Sequence, residues 1–524
     1  MTGPVAPDEP GRAPAEGPSS TVTHVRGSSL LLVGRVFALA LGFGAQVLMV
    51  RYLTKADFGA FSYALSVVTL LQSLAMLEMA NGVARFLPLY REQHAYGNLV
   101  GTIRLAVTVV LAVGTLLAVA LISGLLVFGA RPTDDARALQ LLAILAILIP
   151  IQGLDNLFNS LFAAFGSAQA ILLRQSILAP GLRMLVVLVL IGLKADVLFL
   201  TSAYLLIAVF GVLLSAAMFR RLLARQSWQA ARPRGPVTYP VRELFGFALP
   251  LLGSTLVWAL ISSSDGLLLG YLRGTQAVAE FRAVLPLAEV NMLVSATFAT
   301  LYLPLAARLH AQDDQPGLAT LYWQTALWMA VLSFPVFVVT FSFAPAVTET
   351  LYGAAYTGAA PVLALLALGY FFQTALGFNG LTLKVQQKLR YVLMIDLAAA
   401  VLNVLINLVL IPPWGAAGAA AGTAGTLIIH NLLKQFGLWK YAGITLFQRR
   451  YAGLYAVLFG VPLALLAGQT LIPAGLWIAL PVSAAASLLV LWLSRAALQV
   501  ATAFPELERL ARLRVWLRPR VKTP

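Results

Sequence analysis

The stretch RRLLARQSWQAARPRGPVTYPVR, from Arg220 to Arg242, divides this chain in two. It holds six arginines and three prolines, and proline at this density breaks regular helix. On each side lie long apolar runs that continue, with short breaks, toward the chain ends. The segment therefore reads as a cytoplasmic linker between two membrane-embedded halves.

Composition supports a membrane setting. Of 524 residues, 60% are hydrophobic and only 11% are charged, and the mean hydropathy is +0.86. A soluble chain of this kind would lack polar residues for a surface, whereas lipid solvates the apolar faces directly. The formal charge is +16. The basic residues sit in short loops beside apolar runs, the pattern of positive-inside topology, so no nucleic-acid partner is expected. There is no cysteine, which excludes disulfides, thiolate metal sites and cysteine nucleophiles. Four histidines, His24, His94, His310 and His430, show no metal-ligand spacing and read as loop or helix-end residues. No metal and no cofactor is expected.

Residues 1–27, rich in Pro, Gly, Ser, Thr and Ala, read as a disordered tail, with no signal peptide in view. About fourteen spans follow, giving an all-α polytopic membrane protein. With the N-terminus inside, the loops assigned to the cytoplasm and the two tails hold 27 Lys and Arg residues, and the opposite loops hold seven. That asymmetry places both termini in the cytoplasm. Two residues, Arg35 and Arg183, fall inside spans. The boundaries are an N-lobe of six spans at 28–219, the linker at 220–243, a C-lobe of six spans at 244–438, two further spans at 439–498, and a basic tail at 499–524.

The halves on either side of the linker resemble each other. RYLTKADFGAFSYAL (Arg51–Leu65) and GYLRGTQAVAEFRAVLPL (Gly270–Leu287) each carry Tyr-Leu, a short polar loop and then a Phe, at Phe61 and Phe281. Leu-Pro-Leu follows in each, at 87–89 and 303–305. Six-span halves are parallel repeats, an arrangement that suits alternating access.

Charges inside spans are costly and need a cavity, a partner or a route to the interface. Arg35 fits either a cavity cation that grips an anionic headgroup or a residue that snorkels to water. Arg183, deeper and just after Pro180 and Gly181, fits a cavity role, while Arg174 reads as topological. Arg273 and Arg282 join Arg35 and Arg183 as candidates on charge and position. Glu78, Asp155, Asp265, Glu289 and Asp396 are candidate ion-coupling carboxylates. Structural hydrogen bonding between helices is the competing reading for the polar groups around them. Asp396, Asn403 and Asn407 share one face of a helix. Pro412 and Pro413 read as a firm helix stop. The glycines of GAAGAAAGTAG (Gly415–Gly425) permit close helix contact. No Ser-His-Asp signature, HExxH or nucleotide loop is present, so no enzyme is expected.

Four segments carry a family resemblance: RYLTKADFGAFS (51–62), DGLLLGYLRG (265–274), LYGAAYTGAA (351–360) and NVLINLVLIPPWGAAGAAAG (403–422). In order and spacing they resemble the bacterial polysaccharide transporter family, flippases for lipid-linked oligosaccharides. That family shares a superfamily with peptidoglycan-precursor flippases and multidrug and toxic-compound extrusion antiporters. The resemblance implies two six-helix lobes around a central cavity, in the bacterial inner membrane. It implies export of an undecaprenyl-pyrophosphate-linked oligosaccharide, coupling to H+ or Na+, and glycan polymerase or glycosyltransferase machinery as partners. Arg35 matches the position of the family's basic residues in its first span. The chain departs from the peptidoglycan-precursor branch in lacking a clear acidic partner beside Arg35, and from the drug-antiporter branch in its span count. An ion-coupled antiporter of amphipathic small molecules is the alternative, and it predicts essential acidic rather than basic residues.

Overall fold

A computed structural model describes residues 18–128, 135–225, 236–472 and 474–498. Most of the linker's centre and both extreme tails lie outside these, as does the side chain of Arg35. Before the linker come α1 (Pro18–Tyr52), α2 (Lys55–Ala75), α3 (Met79–Glu92), α4 (Tyr96–Phe128), α5 (Ala136–Leu145), α6 (Leu148–Ala164), α7 (Ala168–Ile171), α8 (Ala179–Gly192) and α9 (Val197–Arg225). After it come α10 (Val241–Arg273), α11 (Thr275–Glu289), α12 (Leu293–Ala311), α13 (Gln315–Ser342), α14 (Ala344–Tyr352), α15 (Ala360–Ala375), α16 (Asn379–Val385), α17 (Leu389–Ala442), α18 (Ala452–Leu471) and α19 (Leu476–Ser494). No strand occurs among the described residues. The first helix begins at Pro18, inside the stretch expected to be tail.

Ten segments among the described residues are long and apolar enough to cross a bilayer, or twelve if each of two bent helix pairs is one span. The count is below the fourteen expected: it takes the folded-back α17 as one span and leaves out α1, of which Val36–Tyr52 is an apolar helix among the residues whose side chains are described. The 54-residue α17 runs on as a single element although it folds back on itself. The fold-back is at Gly415, whose φ of 56° and ψ of −131° suit only a residue without a Cβ. Pro412 and Pro413 stay within the helix rather than ending it. Beyond the turn, a Cβ on Gly418 would lie 2.1 Å from the Leu410 carbonyl oxygen. The small-residue run thus lets the two halves of α17 lie against each other.

Several expected spans are interrupted. Leu77 and Glu78 take positive φ, 42° and 60°, between α2 and α3. A 3-10 turn at Val290–Met292 separates α11 from α12, and a π-helical turn at Leu172–Leu178 precedes α8. Breaks of this kind free backbone groups, and in a membrane they persist where protein or a cavity satisfies them.

The repeated segments meet face to face. α2 and α11 approach so closely that a Cβ on Gly59 would sit 2.0 Å from the Thr275 carbonyl oxygen. Phe61 and Phe281 are both buried in the same apolar cluster. At the end away from the linker, polar contacts tie the halves together. Lys55 pairs with Glu280 at 2.5 Å. Arg51 donates to the carbonyls of Leu351 at 2.8 Å and Thr350 at 2.5 Å, where cations are favoured at the C-terminus of α14. Thr275 donates to Asp135 at 2.6 Å, and Gln46 to the Arg282 carbonyl at 2.9 Å. At the linker end, the start of α10 packs on the N-terminal half: Leu244 is buried against Gly82, and Tyr90 donates to Glu243 at 2.5 Å.

Candidate functional site

The most connected polar centre is built around Asp265 on α10. The side chain is 5% exposed. Its Oδ1 accepts from Asn407 Nδ2 at 2.6 Å and its Oδ2 from Thr423 Oγ1 at 2.8 Å. Asn407 and Thr423 come from opposite halves of α17, so the fold-back at Gly415 creates the site. Gly422 makes room for it, since a Cβ there would meet Asn407 Oδ1 at 2.2 Å. Asn403, one turn along, accepts from Ser264 at 2.8 Å and from Asn407 at 3.3 Å. Because Asn407 turns its amide nitrogen to the carboxylate, its Oδ1 is buried without a partner; Asn403 Nδ2 makes no well-aligned bond although its amide lies close to Asp265. Such groups mark places where a proton, a water or a moving helix has work to do.

Arg282 of α11 faces the same centre. Its guanidinium occupies the space left by the missing side chain of Gly266, and it interacts with Asp265, Glu289 and Tyr370. Tyr370 lies beside Glu289. Three of the nine candidates from sequence, Asp265, Arg282 and Glu289, therefore converge.

The others lie apart. Glu78, in its left-handed turn, accepts from Asn81 and from Thr255 of α10, so it links the break in the second span to the C-terminal half. Asp155 pairs with Arg174 at 2.7 Å. Asp396 pairs with His430 at 2.8 Å and Lys434 at 2.9 Å. Arg183 is exposed on α8 near Tyr204. Arg273 is exposed beside Gly415. Arg35 lies on α1 next to Gly34, whose backbone packs against Leu172 and Ser176.

Two readings need correction. Arg174, assigned to topology, is 5% exposed and also donates to Ser215 at 3.3 Å; Gly211 leaves the space for its guanidinium. His430, read as a loop or helix-end residue, sits mid-helix with its Nε2 2.8 Å from Asp396 Oδ1. The register of the α17 hairpin was the signal that could have found it. No group of three or more His, Cys, Asp or Glu suited to a metal occurs among the described residues.

Residues 24–310, more than half of the chain, match the polysaccharide biosynthesis protein family. The chain belongs to that family. Residues 250–409 of this family member also match MatE. Among solved structures its fold is similar to the lipid II flippase MurJ in an inward closed conformation, with a TM-score of 0.66 at 14% identity, covering 91% of this chain and 99% of that one. It is similar as well to an inward-facing multidrug resistance MATE family transporter of the MOP superfamily, with a TM-score of 0.61 at 14% identity, covering 79% and 98%. An uncharacterized membrane protein of Methanocaldococcus jannaschii is 24% identical over 190 residues, 35% of this chain and 36% of the relative. The chain thus spans about a third of that curated relative's length. The family member is a polytopic, all-α membrane protein with the fold of these flippases and antiporters.

Proposed function

We propose that the protein is an ion-coupled transporter that carries an amphipathic molecule across the bilayer by alternating access. The single observation that carries this reading is Asp265: a buried carboxylate held by three passes of helix, with Arg282 beside it. Such a group gains and loses charge at a price set by the packing of α10 against α17, so its occupancy biases one lobe arrangement over another. The coupling ion is a proton. A metal cation there would have to sit beside the Arg282 guanidinium. In everted membrane vesicles, gradient-driven uptake of ethidium, an amphipathic cation, is expected to vanish in Asp265→Asn. Uptake at the wild-type rate removes Asp265 from the mechanism.

A second reading concerns the cargo: an undecaprenyl-pyrophosphate-linked oligosaccharide, moved from the cytoplasmic to the outer leaflet. The family match over 24–310 favours it. So does the larger share of the chain covered by the flippase likeness, 91% against 79% for the antiporter. Arg35 and Arg183 would then meet the pyrophosphate. Lipid profiling of a strain lacking the protein decides: accumulation of the lipid-linked oligosaccharide supports this cargo, and an unchanged lipid pool with increased sensitivity to cationic amphiphiles rejects it.

A further inference from the structure

The two halves of α17 lie antiparallel in one consistent register. Leu410 faces Gly418, Asn407 faces Gly422, and Tyr391 faces Gly437. Asp396 faces both His430 and Lys434. The same register sets Asn403 opposite Thr426. Along the second half, Thr423, Thr426, His430 and Lys434 recur at helical spacing on one face. Asp396, Asn403 and Asn407 do so along the first.

Polar groups recur along this seam, with Ala399 and Ala400 between Asp396 and Asn403, and its middle is unsatisfied. Asn407 is 0% exposed, Asn403 1% and Thr426 3%. Asn407 Oδ1 and Thr426 Oγ1 lack partners, and Asn403 Nδ2 makes no well-aligned bond although its amide lies close to Asp265. Buried polar groups in apolar surroundings rarely stay unpaired, and small gaps between them hold water. At 1.5 Å of rise per residue, Thr426 stands about 6 Å along the axis from His430, and Asn403 about 10 Å from Asp396. Spans of this length are within reach of a short chain of bridging waters. The far end, with Asp396, His430 and Lys434, lies toward the arginine-rich side, which the positive-inside distribution makes cytoplasmic.

We propose that the seam between the two halves of α17 is a water-bridged proton path joining Asp265 to the cytoplasm through Asn403, Thr426 and the Asp396–His430–Lys434 centre. This rests on the reading of Asp265 as the coupling carboxylate. A proton moves along the path by exchange between waters and side chains, so no net bond is made or broken in the protein; Asp265 gains what the cytoplasmic water gives up. The charged and titratable groups facing the path are Arg282, Glu289 and Tyr370 around Asp265, and Lys384 of α16 beside Lys434. Asp396 pairs with Lys434 at the mouth, so the entrance does not repel a proton outright.

The test uses the full-length protein in nanodiscs with a light-triggered pH jump and time-resolved infrared spectroscopy. The carboxylic C=O band that disappears in Asp265→Asn reports protonation of Asp265. Thr426→Val keeps the shape of the side chain and removes the hydroxyl. It is expected to slow the rise of this band about tenfold, the cost of one missing hydrogen bond in the path, with its final amplitude unchanged. His430→Gln is expected to slow it as well. Wild-type rates in both variants overturn the path while leaving Asp265 a titrating group. A change in final amplitude without a change in rate assigns Thr426 a structural role and also overturns the path. Absence of any Asp265 band on titration removes the coupling reading, and the path falls with it.

Discussion

Gly59→Ala is the sharpest perturbation of the proposed alternating access. The added Cβ would sit 2.0 Å from the Thr275 carbonyl oxygen and 2.7 Å from its carbon. Ordinary contact begins near 3.4 Å, so α2 and α11 must separate by about 1.4 Å at this point. Both partners are helix backbone, and no side chain can swing aside. Overpacking of this kind costs about 1–3 kcal/mol. The strain acts only when the end away from the linker is closed, so it raises the open population there by roughly 5- to 150-fold. The native chain has no cysteine, so a single Ser66→Cys gives an unambiguous probe. Ser66 lies on α2 against Gly266 and is 4% exposed. Labelling by a membrane-impermeant maleimide applied outside intact cells should be slow in the Ser66→Cys background and at least severalfold faster with Gly59→Ala. Gly42→Ala, where nothing lies within 4 Å, should leave the rate unchanged. Equal labelling in all three would show that the α2–α11 contact does not govern access.

Three further outcomes follow from the same geometry. Arg174→Met strands Asp155 and should lower stability by about 3 kcal/mol, visible as a fall in Tm in detergent, whereas adding Asp155→Leu should restore most of it; a silent single variant refutes the pairing. Lys55→Gln breaks a pair whose side chains are each 25% exposed, so it should shift stability by less than about 1 kcal/mol, and 1 M salt should mimic it in wild type. Gly422→Ala should push Asn407 away from Asp265 and abolish ethidium uptake, while Gly425→Ala, with open space around it, should transport normally; loss in both would mean that general packing, not the Asp265 site, is being disturbed.

The membrane setting and the all-α class were legible because composition and apolar run length depend on no tertiary contact. The likeness of the segments around Phe61 and Phe281 was legible because both halves reuse the same local pattern, but that they pack against each other was not. The turn of α17 was misplaced onto Pro412 and Pro413, although a pair of prolines at a helix's last turns can stay helical and the reversal needs the backbone freedom of Gly415. Asp265, Asn403 and Asn407 were each singled out by sequence, but their grouping was not. Spacing tells which residues share a helix face and not which faces meet. Arg174 was missed for a related reason: its position near a span end suggested topology, while the π turn and Gly211 together draw it inward. The left-handed turn at Glu78 leaves no sequence mark, because no glycine occupies it.

The most direct test of proton coupling through Asp265 is proton release on cargo binding. The purified protein in weakly buffered detergent solution is titrated with ethidium while pH is recorded. Coupling predicts release from wild type and none from Asp265→Asn, with ethidium still bound by the variant. Equal release from both, or binding to wild type with no proton released, would contradict it.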